Sequence, residues 1–356
     1  MRHAIYLVSD ARYLPIAKAQ ANFLADQWGC DVHVFVEDDA LKDVQPPANA
    51  RVTFHLNSLA AELPNNIPVS RKWPRAVFLR NYAPRVLADR YDRVLYLDTD
   101  VWSRKADPAL WSFDLPNGLG AVADHANLHK APRATKLDRA EWLERIGVRS
   151  PHYFNAGILL IDTAKWDDAR LSELLSTYFD AREMRAIKSQ DFLNYAYDGL
   201  WTQLSPRWNY QPPFFELGFA SQLDPVFVHF CDEIKPWFFP DHPGLTRRRR
   251  EHEAFFHTIL RQVGVDPTDV AEDRNSFPGS DWLTHTRRRL KEGIPGLGRE
   301  ASLRKEWGIR RDRIAKYLAA EITTGRFVDS VVFDPSQPLP RLVMDFPCLR
   351  AKGDIV

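Results

Sequence analysis

Short apolar runs recur through the first two thirds of this 356-residue chain, and most are continuous rather than alternating. A continuous run marks a strand covered on both faces, as in the parallel sheets of α/β proteins. Ile5–Val8, Val32–Val36 and Val52–Leu56 read as the first strands. Between the first two, residues 15–28 carry Ile16, Ala19, Phe23 and Leu24 at helical spacing and stop at Gly29. Strand, helix, strand at the start argues for a parallel sheet with helices on its faces. Residues 64–74 are proline-containing and irregular, and residues 76–91 read as a helix that tolerates Pro84 and leads into the strand Val94–Leu97. Further strands are expected at Leu119–Ala123, Phe154–Asp162 and Val226–Phe230, helices at 171–179 and 189–197, and a loop at 204–213. Pro236, Pro240 and Pro243 then punctuate the chain, which places a domain boundary there. Beyond it, helical segments are expected around 251–263 and 310–323, making residues 241–356 a mainly helical extension of an α/β domain at 1–240.

A hydrophobic content of 45% with 12% aromatic residues can fill a sizeable core. Cys30, Cys231 and Cys348 are odd in number, widely spaced and without C-x-x-C spacing, so they support neither a disulfide framework nor a zinc site, and a reducing cytoplasm suits them. The apolar stretch before Asp10 is too short for a leader or a membrane span and reads as strand one. Formal charge is −3 over residues 1–240 and +4 over 241–356. In the second part, Arg247–Arg250 is unbroken and Arg287, Arg288, Arg289 and Lys291 form another basic knot. Such runs are solvated helix faces, or contacts to anionic lipid at a membrane periphery or to an acidic glycan. No nucleic-acid reader motif accompanies them.

The chemistry concentrates where the strand before Asp98 ends. Asp98, Thr99 and Asp100 follow a buried strand at its carboxyl end, where α/β sheets hold their ligands. Two carboxylates there can hold a divalent cation against phosphate, and Asp-Thr-Asp is also good turn chemistry. Three later pieces extend the pattern: FNAGILLID at 154–162, SQDFLN at 189–194 and VHFCDEIKPW at 228–237.

Taken in order, these pieces resemble glycosyltransferase family 8, over roughly residues 3–237. The resemblance implies a GT-A domain, a Rossmann-like, mostly parallel sheet flanked by helices. It implies transfer of a hexose from a UDP-sugar, with retained configuration, to a glycan, lipid-linked or other hydroxyl acceptor. Asp98, Asp100 and His229 would be the ligands of Mn²⁺ or Mg²⁺, the imidazole favouring Mn²⁺, and Lys235 would lie on the pyrophosphate. Asp10, Arg12 and Tyr13 would receive uracil and ribose, and Arg80 and Thr99 would contact the donor. Asn155, Gln190 and Asp191 would stand beside the transferred sugar, with Asp124 on its hydroxyls.

Each residue also has an ordinary reading. Ser9 or Asp10 can cap the first helix, Arg80 can lie on a helix surface, Asn155 can serve a turn, and Gln190 and Asp191 can occupy a first helical turn behind Ser189. Two positions depart from the family pattern: Ser189 stands where Asp is usual, and Asp232 where Gly is common. Those departures motivate a non-catalytic sugar-nucleotide or glycan binder as an alternative. An apolar strand ending in D-x-D also opens haloacid-dehalogenase-type phosphohydrolases, in which Asp98 would be the nucleophile.

Overall fold

The computed structural model describes residues 1–37, 49–68, 74–132, 135–181, 188–215, 217–231, 235–236, 247–262, 264–266, 299–329, 331, 333–334 and 336–339. Its centre is a sheet built from β1 (His3–Ser9), β2 (Asp31–Val36), β3 (Val52–Leu56), β4 (Arg93–Leu97), β6 (Leu119–Ala123), β7 (Phe154–Asp162) and β8 (Thr202–Leu204), in the order β3-β2-β1-β4-β7-β6-β8. All neighbours are parallel except where β7 meets β4 and β6. The sheet is therefore mostly parallel, as expected. Because β7 runs the opposite way, its amino end lies beside the carboxyl ends of β4 and β6. That reversal brings Asn155–Gly157 to the edge where Asp98 emerges, and Asp98 N–H donates to the Gly157 carbonyl at 2.8 Å.

Successive β1 residues enter opposite cores: Ala4, Tyr6 and Val8 one, Ile5 and Leu7 the other. α1 (Leu14–Trp28) covers the second face through Leu14, Ala17, Ala21, Leu24 and Ala25. It ends at Gly29, whose φ of 63° lies in the left-handed region open to glycine at little cost. α4 (Asp168–Ala181) and α5 (Lys188–Ala196) cover the first face with Leu171, Leu175, Phe179 and Phe192. Each fully buried Val, Leu or Phe is worth about 1.5–3 kcal/mol, so the continuous runs account for the driving force of the sheet.

The helix expected over 76–91 is broken. A 3-10 turn at Arg75–Asn81 and α2 (Ala83–Leu87) meet at Tyr82, with Pro84 in the first turn of the second piece, where it has no helical N–H to give. The loop expected at 204–213 contains the end of β8, a 3-10 turn at Pro206–Trp208 and the start of α6 (Pro212–Phe215). The last apolar run does not join the main sheet. β9 (Phe227–His229) pairs antiparallel with the short β5 (Val101–Ser103), placing Val101 opposite His229.

Of the prolines that mark the expected boundary, Pro240 and Pro243 lie outside the described residues. Beyond it, α8 (Arg247–Gln262) packs Phe256, Ile259 and Leu260 on Ile16 and Ala19 of α1. α9, the helix at Arg299–Thr323, contributes Trp307, Ile314 and Leu318 to a third core with Phe214, Phe219 and Phe230. The chain after it clamps the edge strand β8: Val328 N–H donates to the Gln203 carbonyl, while the Asp329 carboxylate accepts from Ser205 N–H, Ser205 Oγ and Trp208 Nε1. No helix among the described residues is long and apolar enough to cross a membrane. The side chains of Arg247–Arg250, and residues 287–291 entirely, lie outside the described residues, so the contact expected of those basic runs has no support here.

Candidate functional site

Asp98 leaves the end of β4, Asp100 sits two residues on, and His229 ends β9. The β5–β9 pairing joins them, with Phe230 N–H donating to the Asp100 carbonyl at 3.0 Å. One ligand atom from each of the three side chains lies within 4.8 Å of the others. Among the described residues this is the one such group. His229 Nε2 stands 3.2 Å from Asp100 Oδ1 and 3.8 Å from Asp98 Oδ2, yet it is buried and makes no hydrogen bond. An unpartnered ring nitrogen facing two carboxylates is the arrangement a cation resolves, so these residues fit a divalent metal. Burial pushes the Asp100 carboxyl up, but Lys235 and His229 more than reverse this and hold it well below the usual carboxylate range. It remains an anion at neutral pH.

Gly157 makes room for this group. A Cβ there would stand 2.1 Å from His229 Cε1 and 2.7 Å from Asp98 Oδ2. The Asn-Ala-Gly run thus has a separate structural task at each position. Asn155 Oδ1 accepts from Gly157 N–H at 3.1 Å, Ala156 N–H donates to Gln190 Oε1 at 3.0 Å, and Gly157 leaves the space.

Gln190 is held at both ends, its Nε2 donating to Asp124 Oδ2 at 2.7 Å. Asp124 accepts further from the N–H of Asn127 through Oδ1. Asp191 is 1% exposed and accepts from the Tyr153 hydroxyl at 2.6 Å. Arg80 is 4% exposed, in contrast to the surface arginine that a helix would carry. Its guanidinium donates to the Ala156 carbonyl at 2.9 Å and to Ser189 Oγ at 2.8 Å, lies 3.8 Å from Asp98 Oδ1, and sits over the Tyr96 ring. A hydroxyl at 189 therefore serves as its neutral partner.

The remaining candidates are less tightly joined. Lys235 Nζ donates to Asp100 Oδ2 and to the Phe230 carbonyl. Thr99 lies half-buried between the two aspartates. The helix cap expected of Ser9 or Asp10 does not form, since the N-cap of α1 is Tyr13 with no side-chain bond; Asp10 Oδ1 instead accepts from Tyr13 N–H at 3.0 Å, and the guanidinium of exposed Arg12 lies over the Tyr13 ring. Asp10, Arg12 and Tyr13 sit at the carboxyl end of β1, the edge that also carries Asp98. Asp232 and Trp237 lie outside the described residues.

Two buried amides escaped the sequence reading. Asn209 Oδ1 lies 3.1 Å from His229 Nδ1, and its Nδ2 donates to Asn155 Oδ1 at 3.0 Å. Gln211 accepts from His125 N–H and donates to the Ala123 carbonyl. Both stand in a stretch without periodicity, and the only signal was polar residues spaced two apart in an otherwise aromatic and proline-rich segment. A recess of about 1000 Å³ lined by Arg139, Leu143, Arg149, Tyr195 and Asp198 shares none of these groups, so the chemistry rather than the recess marks the site.

The family model for glycosyl transferase family 8 matches residues 34–240. The chain is 28% identical over 144 residues to lipopolysaccharide 1,2-glucosyltransferase of Escherichia coli (strain K12), covering 40% of each. It is 27% identical over 184 residues to lipopolysaccharide 1,3-galactosyltransferase of Salmonella typhimurium (strain LT2), covering 48% of this chain and 52% of that protein. General stress protein A of Bacillus subtilis (strain 168) is 26% identical over 180 residues, which span 46% of this chain and 59% of the relative. The chain thus spans about half the length of the curated relatives it matches. Among solved structures, the galactosyltransferase LgtC, in complex with donor and acceptor sugar analogs, superposes with a TM-score of 0.54 at 21% identity, covering 75% of this chain and 98% of that one. The bifunctional glycosyltransferase WbbM gives 0.53 at 18%, covering 73% and 49%. At these identities the structural likeness is one of fold.

Proposed function

The chain belongs to glycosyltransferase family 8 and has the GT-A fold, and on that premise we propose that it moves a hexose from a UDP-sugar to a hydroxyl of a glycan or lipid-linked acceptor, with retained configuration. The observation that carries this reading is the convergence of Asp98, Asp100 and an otherwise unpartnered His229 Nε2 at the carboxyl edge of the sheet. Asp98, Asp100 and His229 would hold Mn²⁺ or Mg²⁺. Bound there, the cation supplies Lewis-acid neutralisation of the departing nucleoside diphosphate.

The chain's own groups do the rest. Lys235, an ammonium on the same carboxylate, is placed to offset charge that grows as the bond from sugar to phosphate lengthens. Arg80, itself buried, adds a second cation within reach of Asp98. Gln190, anchored to both β7 and Asp124, presents a fixed amide beside the sugar, and Asp124 and Asn155 shape the pocket around it. Asp191 acts through Tyr153. An amide is a poor nucleophile, so departure and attack on one face of the sugar, within an ion pair, suits Gln190 better than a covalent intermediate. Asp10, Arg12, Tyr13 and Thr99 would receive the nucleotide. A glucosyl or galactosyl donor and a lipopolysaccharide or other surface glycan as acceptor follow the names of the relatives. In this reading residues 1–240 are the catalytic domain, and 241–356 its extension.

Ser189 favours a second reading. A hydroxyl where the family uses a carboxylate leaves Arg80 without a charged partner at that position, which suits a sugar-nucleotide binder with impaired turnover. The deciding experiment is thermal stabilisation and donor hydrolysis across UDP-glucose, UDP-galactose, UDP-N-acetylglucosamine and GDP-mannose, with and without Mn²⁺, beside Asp100→Ala. Metal-dependent stabilisation by a UDP-sugar, lost in the variant, is expected, and turnover separates enzyme from binder. No response to any UDP compound would sink both readings and return attention to phosphohydrolase substrates.

A further inference from the structure

We infer that Asn209 is a positioning residue for His229, and that it sets the ring's tautomer from a backbone N–H two asparagines away. The inference rests on the metal reading above. Its starting point is a group whose polarity cannot be reversed. Gly157 N–H can only donate, and it donates to Asn155 Oδ1 at 3.1 Å. That fixes which end of the Asn155 amide is oxygen, since the flipped amide would set two donors face to face.

The same oxygen lies 3.0 Å from Asn209, which must therefore offer its NH₂ there. The opposite end of the Asn209 amide is then the oxygen, and it lies 3.1 Å from His229 Nδ1. An acceptor at that position requires Nδ1 to carry a proton. In the neutral ring Nε2 is then the lone pair, and Nε2 is the nitrogen that faces Asp98 and Asp100 without a hydrogen bond.

Burial keeps this line intact. Asn209 is 0% exposed, Asn155 5% and His229 1%, so water has little access to substitute for either amide. The relay accounts for a fully buried asparagine in an irregular segment, and gives Asn155, at the second position of a buried strand, a task besides shaping the pocket around the sugar. Partners of a ligating histidine raise its basicity and fix its ring, and their loss typically costs about 10–100-fold in metal affinity.

The test is Mn²⁺ binding by the full chain in the presence of UDP, read from the electron paramagnetic resonance signal of free Mn²⁺, which does not depend on turnover. Asn209→Leu, which keeps the branching and number of heavy atoms but has no polar atoms, should weaken Mn²⁺ by about 10-fold or more. Asn209→Asp, which keeps an acceptor against Nδ1, should recover part of that loss. Asn155→Leu should weaken Mn²⁺ in the same direction although it does not touch His229, and it keeps the inference testable should Asn209→Leu not fold. A purely packing role would lower the unfolding temperature of the metal-free protein in both leucine variants and leave the affinity of the folded fraction unchanged, and that result overturns the relay. If the wild-type chain binds no Mn²⁺ with UDP, the metal reading itself falls and the relay with it. If it binds and Asn209→Leu binds equally well, only the relay falls.

Discussion

Gly157 is in contact with His229 so closely that the smallest side chain cannot be placed between them: an added Cβ would come within 2.1 Å of the imidazole Cε1. Glycine is needed here for space: β7 breaks register with β6 across residues 156–158, yet the position carries no positive φ.

Gly157→Ala should therefore displace His229 and Asp98 together. Overpacking of this kind costs about 1–3 kcal/mol, so the variant should fold with a lower urea midpoint. Its Mn²⁺-dependent UDP-sugar response should be lost. Wild-type response with an unchanged midpoint would show that the ring has another position available to it.

Arg80 joins three parts of the site through one guanidinium, bonding the Ala156 carbonyl and Ser189 Oγ within reach of Asp98. Lysine cannot reproduce that planar fork. Arg80→Lys should lose about 1.5–3 kcal/mol of stability, the worth of a hydrogen bond to a charged group, and lower UDP-sugar turnover by about 10-fold or more. Donor titrations followed by single-turnover kinetics check whether binding or chemistry carries the loss.

Asp329 accepts three hydrogen bonds from Ser205 and Trp208, directly upstream of Asn209. In Asp329→Ala the buried indole and backbone donors lose their acceptor, at about 1–3 kcal/mol for each group left unsatisfied. Urea unfolding should shift to lower denaturant, and turnover should fall with it, since the segment that carries Asn209 is anchored there. Loss of stability with full activity would confine the clamp to a structural role.

Two buried histidines predict an acid-sensitive fold. Burial pushes His33 down to about 4, its neighbour His55 adding to the effect, and burial pushes His125 down to about 3. The unfolded chain takes up these protons near pH 6.5 and the folded chain refuses them, so stability is full above about 6.5 and falls as pH drops towards 4, by about 3 kcal/mol for His33 alone. The buried His125 ring lies edge-on between Phe214 and Tyr317, where a charged imidazolium would be poorly solvated. His125→Phe should raise the denaturation midpoint at pH 5 more than at pH 7.5. An unchanged pH slope would mean that the ring is already solvated in the native state.

Much of the sheet was legible in sequence because its strands are buried on both faces. Continuous apolar runs such as Val94–Leu97 and Leu119–Ala123 have no other use at that length, and Phe154–Asp162 has the same bounds in sequence and structure. The broken helix at 75–87 was not, since its apolar spacing survives the kink at Tyr82 and only packing against β1 selects the 3-10 turn. Asp98 and Asp100 were legible as carboxylates at the end of an apolar strand, a local signal, whereas His229 stood out only through the family resemblance. Asn209 carried no such signal.

The sequence by itself determined which residues end strands with carboxylate, imidazole or other hydrogen-bonding side chains, because hydrophobic runs and their termini are properties of neighbouring positions. Tertiary structure alone decided the direction of β7, the separate pairing of β5 with β9, the clamp of Asp329 on β8, and the line from Gly157 through Asn155 and Asn209 to His229. These depend on residues dozens of positions apart meeting within about 3 Å, the reach of a hydrogen bond. A one-dimensional pattern does not encode that distance, and the packed sheet does.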